Sequence, residues 1–175
     1  MKITYYAASS LDGYIAKEDG DVSWLDDLGS SPDDTGYEEF YSTVDALVMG
    51  RNTYDRIQNY GSWPYGDKPT WVCTAKSIKS MEGCNLQNGT TPTDAYKEAQ
   101  EQGIKHLWLV GGGKLASSFL EENLLTHLSI SQMPIILGKG IKLFGDLQNP
   151  IKIRSTRVQA RDSGYSQLDY VITSD

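Results

Sequence analysis

The sequence predicts an α/β fold: a mixed, mostly parallel central sheet with helices on both faces and a C-terminal antiparallel hairpin. Two observations carry this expectation. Apolar runs of strand length alternate with segments of helical spacing over the first three-quarters of the chain, the pattern of strand–helix crossovers. The tail then turns extended, with two segments separated by RDSG at 161–164. At 175 residues, with 39% hydrophobic and 22% charged residues, the chain suits one domain over 1–175 with a substantial core.

In chain order, ITYYAAS (3–9) is the first strand, ended by the turn signal SLDG at 10–13. Residues 17–36 are rich in Gly, Asp and Ser and read as a loop. YEEFYSTV (37–44) reads as a short helix, DALVMG (45–50) as a buried strand, and RNTYDRIQNY (51–60) as a helix of at least two turns. GSWPYGDKP (61–69) is a loop before the strand TWVCTA at 70–75. At 91–94, TPTD is a helix start: Thr91 caps, Pro92 fits the first helical position, and Asp94 completes a capping box. That helix runs to about Gln102 and stops at Gly103. HLWLV (106–110) is a strand, KLASSFLEEN (114–123) a helix and THLSISQM (126–133) a strand. IKLFGDL (141–147) reads as extended, and 151–160 with 164–173 as the closing hairpin.

Composition narrows the function. The net charge of −7 argues against a broad electrostatic footprint for nucleic acid or an acidic membrane surface. An anionic ligand must therefore be held by a local arrangement. Cys73 and Cys84 have no metal or redox spacing; they read as reduced thiols of a cytoplasmic protein, with a single disulfide between them as the alternative. The N-terminus lacks a basic segment followed by a long apolar one, so no signal peptide is expected, and no apolar run reaches membrane-spanning length. His106 and His127 are far apart in sequence, and no metal site is expected on them.

Two places repeat one design, an apolar strand running through glycine into a helix. ALVMGRNTY places Gly50, Arg51 and Thr53 at a helix start, and LVGGGKLASSFL places Val110, Gly111, Gly112, Gly113, Lys114 and Leu115 at another. Such a turn lets a ligand approach the backbone, and the helix start offers unpaired N–H donors to an anion. Arg51 adds fork-like, charge-assisted donors. A third strand end, TWVCTAK, contributes Thr74, Ala75 and Lys76. Each motif alone also has a plain structural reading, as a tight turn, a surface arginine or a polar loop. Their coincidence at the carboxyl ends of parallel strands, where ligands bind, favours a shared site. Gly111-x-Gly113-x-x-Ala116 satisfies a permissive dinucleotide fingerprint, but the next strand ends in SQMP without the acid of a Rossmann site. Lys114 is followed by leucine, which excludes a Walker A loop.

Carboxylates at Asp12, Asp26, Asp27, Asp33 and Asp34 are turn or loop residues by default, and one of them near a bound heterocycle would assist protonation. Asp12 is the catalytic candidate. Trp24, large and apolar for its loop, is either a core anchor or a wall of a substrate pocket. Ser117 and Ser118 lack a nucleophile setting.

In their order and spacing, SLDGYIA with Trp24, ALVMGRNTY, WVCTAK, LVGGGKLASSFL and SISQMPIILGKGIKLF resemble the dihydrofolate reductase-like superfamily. Within it they resemble the family of the riboflavin-biosynthesis reductase domain, over most of the chain. The resemblance implies a three-layer fold and an NADPH-dependent, homodimeric reductase of a small heterocycle, most like 5-amino-6-(5-phosphoribosylamino)uracil reductase. It places Ala8, Ile15 and Ala16 on the nicotinamide side, and Gly50, Arg51 and Thr53 at the phosphates, Arg51 near the 2′-phosphate. Thr74, Ala75 and Lys76 would flank the adenosine end, with the glycine turn from Val110 to Leu115 against the pyrophosphate. The superfamily's cofactor geometry is not the Rossmann one, which accounts for the missing acid. Dihydrofolate reductases carry a helical carboxylate soon after the tryptophan; here the segment reads LDDLGSSPDDTG, without a clean match. The deaminase motifs usually fused to the riboflavin domain do not occur here. A dihydrofolate or pterin reductase and a catalytically idle nucleotide-binding protein are the alternatives.

Overall fold

The computed structural model describes residues 1–28, 36–87 and 89–173. It begins with β1 (Lys2–Ser9), β2 (Tyr14–Ala16), a 3-10 helix (Ser23–Leu28), α1 (Tyr37–Ser42), β3 (Ala46–Gly50) and α2 (Arg51–Gln58). β4 (Thr70–Cys73), β5 (Leu86–Gln87), α3 (Pro92–Glu101), β6 (His106–Gly111) and α4 (Gly113–Glu121) follow. The chain closes with β7 (His127–Gln132), β8 (Ile141–Lys142), β9 (Ile153–Ala160) and β10 (Ser166–Ile172).

Eight strands form one sheet in the order β5-β4-β3-β6-β1-β7-β10-β9, and β2 pairs with β8 separately. From β5 to β7 every pairing is parallel. β10 is antiparallel to both β7 and β9, so the closing hairpin makes the sheet mixed.

β3 shows why the sheet is covered on both faces. Its successive side chains point to opposite faces, and all four of Ala46, Leu47, Val48 and Met49 are buried. Ala46 and Val48 pack with Ile3, Tyr5, Leu107 and Leu109 against Ala95 and Ala99 of α3 and Ala116 and Phe119 of α4. Leu47 and Met49 face the other way, toward Phe40 and Tyr41 of α1 and Tyr54 and Ile57 of α2. The result is three layers, helix pair on sheet on helix pair. Full burial of each large apolar side chain here contributes roughly 1.5–3 kcal/mol.

Several local expectations are refined. Ser23–Leu28, within the segment read as loop, forms a 3-10 turn because Trp24 is buried against Met133 and Tyr165 and anchors it. Of residues 141–147 only Ile141 and Lys142 pair, with β2, as a two-residue strand. The two-residue β5 at the sheet edge carries too little pattern to be seen in sequence.

β4, β3 and β6 are adjacent and parallel. Their carboxyl ends therefore lie along one edge of the sheet, where Gly50 opens α2 and Gly112 opens α4.

Candidate functional site

Along that edge lies a cleft of about 970 Å³, at the large end of the range for small-molecule pockets. The glycine turn after β6 and the start of α2 both form its wall. Of the positions singled out in the sequence, Ala8, Ile15, Ala16, Gly50, Arg51, Thr53, Val110, Gly111, Gly112, Gly113, Lys114 and Leu115 all line it. Residues from β1, β2, α2, β6 and α4 thus converge although they are scattered over more than a hundred positions.

The glycines differ in what they permit. At Gly113 a Cβ would overlap the carbonyl oxygen of Lys142, so the chain needs glycine there for its own packing. Gly50 and Gly112 both have negative φ, −83° and −97°, and the Gly111–Gly112 peptide bond is cis. A Cβ on Gly50 would meet nothing closer than the Gly111 carbonyl oxygen at 3.8 Å, and one on Gly112 only Ile15 and Thr53 atoms at 3.8 Å. Neither needs to be glycine to avoid a side-chain clash. Both instead leave bare backbone on the cleft surface, at the N-caps of two helices whose capping is not supplied by a side chain. This is the arrangement that receives an anion on backbone N–H groups.

Arg51 is the first residue of α2. Its Nε donates to Asp55 Oδ1 at 2.6 Å, one turn on, and its Nη1 to the Ser77 carbonyl oxygen at 3.0 Å. The pair with Asp55 is about one-third to one-half exposed, so it aims the guanidinium more than it stabilises the fold. Through Ser77 the end of the β4 segment is drawn to Arg51. Thr74, Ala75 and Lys76 lie just before that contact, outside the cleft lining, with Thr74 Oγ1 accepting from the Lys76 amide at 3.2 Å. Lys114 is exposed beside the α4 start and pairs with no carboxylate among the described residues. Cys73 also lines the cleft, but burial pushes its thiol up to about 12, which keeps it protonated and unreactive.

Asp12 and Trp24 are placed elsewhere. Asp12 accepts from the Ser10 hydroxyl at 2.6 Å and from the amides of Leu137 and Gly138 at 3.0 and 2.7 Å, outside the cleft lining. The Ser10 hydroxyl first, then those amides, hold its carboxyl below the ordinary range, so it is ionised at neutral pH and stores no proton. It pins the 10–13 turn to the 135–138 segment. Trp24 is 2% exposed in a core cluster with Met133 and Tyr165, and its neighbour Leu25 reaches the cleft instead. Asp26 and Asp27 are exposed, and Asp33 and Asp34 lie outside the described residues.

Arg56, Ile57, Tyr60 and Tyr65 also line the cleft, although no sequence motif marks them. Three of these had a periodic signal. Thr53, Arg56, Ile57 and Tyr60 recur at helical spacing, on one face of α2 and its continuation. Among the described residues no cluster of His, Cys, Asp and Glu suits a metal ion, and no helix is long and apolar enough to cross a membrane.

Fold and cleft define an α/β protein with a large cleft on the carboxyl edge of its parallel strands, walled by two helix starts. The chain belongs to the RibD C-terminal domain family, whose model matches residues 55–166. It is 37% identical over 156 residues to the uncharacterized protein YwjB of Bacillus subtilis (strain 168), covering 87% of this chain and 88% of YwjB. A crystal structure from Shewanella sp. PV-4, named for riboflavin biosynthesis, matches with a TM-score of 0.87 and 30% identity, over 99% of this chain and 100% of that one. The Thermotoga maritima diaminohydroxyphosphoribosylaminopyrimidine deaminase/5-amino-6-(5-phosphoribosylamino)uracil reductase shares the fold, with a TM-score of 0.70 and 17% identity. It matches 98% of this chain and 56% of its own.

Proposed function

We propose that the chain is an NADPH-dependent reductase of a small heterocyclic substrate, most like the 5-amino-6-(5-phosphoribosylamino)uracil reductase reaction. The observation that carries this reading is the pair of bare helix starts at Gly50 and Gly112, flanked by Arg51 and Lys114, in one cleft. Two separated anion-receptive helix starts with two cations fit a dinucleotide bearing phosphate at more than one position. Family membership supports a reductase class, and a reductase stands among the proteins that share the fold.

On this reading Gly111 to Leu115 and Gly50 to Thr53 hold the phosphates, Arg51 taking the 2′-phosphate. Thr74, Ala75 and Lys76 flank the adenosine end. Ala8, Ile15 and Ala16 present a small, apolar surface to the nicotinamide side, where water is excluded from the reacting face. When bound, NADPH supplies the hydride; the chain supplies orientation and desolvation. Asp12, already ionised and engaged, keeps the loop next to β2 in place.

Arg51→Ala tests the assignment. Loss of a charge-assisted contact to phosphate is worth about 1.5–3 kcal/mol, so NADPH affinity should fall roughly 10- to 100-fold while NADH affinity changes little. Titration of both cofactors by fluorescence measures this. Equal losses for the two would remove Arg51 from the 2′-phosphate. Loss of reduced-nicotinamide absorbance with a panel of aminouracil ribityl phosphates and pterins then identifies the substrate.

A further inference from the structure

Along β7 and β10, Leu128, Ile130 and Leu168 join the core that includes α3 and α4. The alternate residues Ser129, Ser131, Gln167 and Asp169 therefore face the α1 side of the sheet. On that side, between α1 and the β7–β10–β9 end of the sheet, lies a pocket of about 320 Å³ that shares no lining residue with the cleft. We infer that it is a second ligand site, taking a small organic anion with a hydroxyl or ammonium donor next to its charge.

The floor of the pocket is a row of hydrogen bonds. Ser131 Oγ donates to Gln167 Oε1 at 2.8 Å, and Gln167 Nε2 donates to Ser129 Oγ at 2.9 Å and to Asp169 Oδ1 at 3.2 Å. Ser129 Oγ donates to the same Asp169 Oδ1 at 2.7 Å. A sheet face open to water is polar for solubility alone, but this floor is closed to water: Gln167 is 4% and Ser131 6% exposed. Arg161, on the pocket wall, keeps its Nε buried without a hydrogen-bond partner. Buried donors are almost always paired, and a ligand oxygen would pair this one.

The charges say what kind of ligand. Lys2, Arg157 and Arg161 line the pocket against Glu39 and Asp169, a local cationic surplus in a chain of net charge −7. None of the three cations pairs with a carboxylate among the described residues. Arg157 and Asp169 are directly opposite in the β9–β10 register, where opposite charges ordinarily meet. Instead Arg157 Nη2 donates to the Gln159 side chain, and Asp169 is bound only through Oδ1, which leaves Oδ2 to the pocket. One small molecule spans both: its anionic group on Arg157 and Arg161, its donor on Asp169.

The test uses the full chain, labelled for NMR, titrated with L-malate, L-glutamate and glycerol 3-phosphate, with neutral glycerol as control. At least one of the three anions should shift the Ser129, Gln167 and Asp169 amides and the Arg161 Nε–H signal, saturating in the roughly millimolar range, while glycerol shifts none. Malate or glutamate binding tighter than glycerol 3-phosphate makes the anion a carboxylate, the reverse order a phosphate, and either supports the site. Arg157→Ala, on an exposed side chain, should keep the melting temperature and weaken binding roughly 10- to 100-fold, as should Arg161→Gln. Failure of all three anions, shifts confined to Gly50 and Gly112, or binding untouched by both substitutions would each overturn the site. Shifts of the same amides with protein concentration alone, and none with the anions, would overturn it and assign this face to a second copy of the chain.

Discussion

Gly112 and Gly113 adjoin in sequence and lack a side chain for different reasons. Gly113 faces the backbone of Lys142 and Leu143 with no room for a methyl group, whereas Gly112 faces the cleft with only ordinary contacts around it. Gly113→Ala should therefore damage the fold, lowering the melting temperature by several degrees as the 142–143 segment is pushed from α4. Gly112→Ala should stay folded and lose NADPH affinity, because the methyl group occupies the surface that the ligand needs. Thermal melts with cofactor titrations on both variants check this; an unaffected affinity in folded Gly112→Ala would detach that glycine from the ligand. Much of this was legible in sequence, since Gly-Gly-Gly between an apolar run and a helical one states a backbone need locally. Which glycine serves packing was not, because the answer lies in residues 142–143, some thirty positions away.

Among the elements, α3 is the one whose start is written most fully in its own residues. Thr91 accepts from the Asp94 amide at 3.1 Å and Asp94 accepts from the Thr91 amide at 3.2 Å, the reciprocal capping box that TPTD predicts. Thr91→Ala should cost about 1 kcal/mol, or roughly 2–4 °C in melting temperature for a chain of this size, without touching the cleft. An unchanged melting temperature would mean the cap is not used. β3, α2, β4, β6, α4 and β7 were likewise legible, because uniformly apolar runs and helical spacing report burial on their own. β5, and the pairing of β2 with β8, were not. They are two or three residues long and exist only because a distant segment lies alongside. The 3-10 turn at Ser23–Leu28 was hidden by its Gly- and Asp-rich surroundings, although Trp24 marked an anchor there. Arg56 belongs to the same class. Its helical face was readable, but its acceptor is the backbone of a loop that sequence patterning leaves unplaced.

At the scale of the whole molecule, the sheet separates its chemistry by edge. The carboxyl ends of β3 and β6 carry the cleft, and the opposite end of β6 carries a buried histidine. His106 Nδ1 donates to the Thr43 carbonyl oxygen at 3.0 Å, which leaves Nε2 to accept from the Thr4 hydroxyl at 2.9 Å. Burial first, then the Lys2 charge, lowers its pKa; burial and Lys2 also lower that of His127. A histidine with a folded pKa below its unfolded value binds more protons when unfolded. Stability should thus be level above about pH 7 and fall as pH drops through about 6.5 toward the lower folded value. The decline is bounded at about 1.4 kcal/mol per pH unit for one histidine. His106→Gln should flatten the profile in urea melts from pH 5 to 8; an equally steep profile in the variant would place the acid sensitivity elsewhere. The net charge of −7 gives the molecule no general attraction for anions, so on the proposed reading anion capture in the cleft would rest on Gly50, Arg51, Gly112 and Lys114 as a local set. Thermal unfolding of the wild-type protein with NADPH, against NADH and no ligand, tests that set most directly. At a concentration near one hundred times the dissociation constant, NADPH should stabilise by about 2.7 kcal/mol and raise the melting temperature by roughly 5–10 °C, with NADH giving much less. A melting temperature that NADPH leaves unmoved at millimolar concentration would contradict the account.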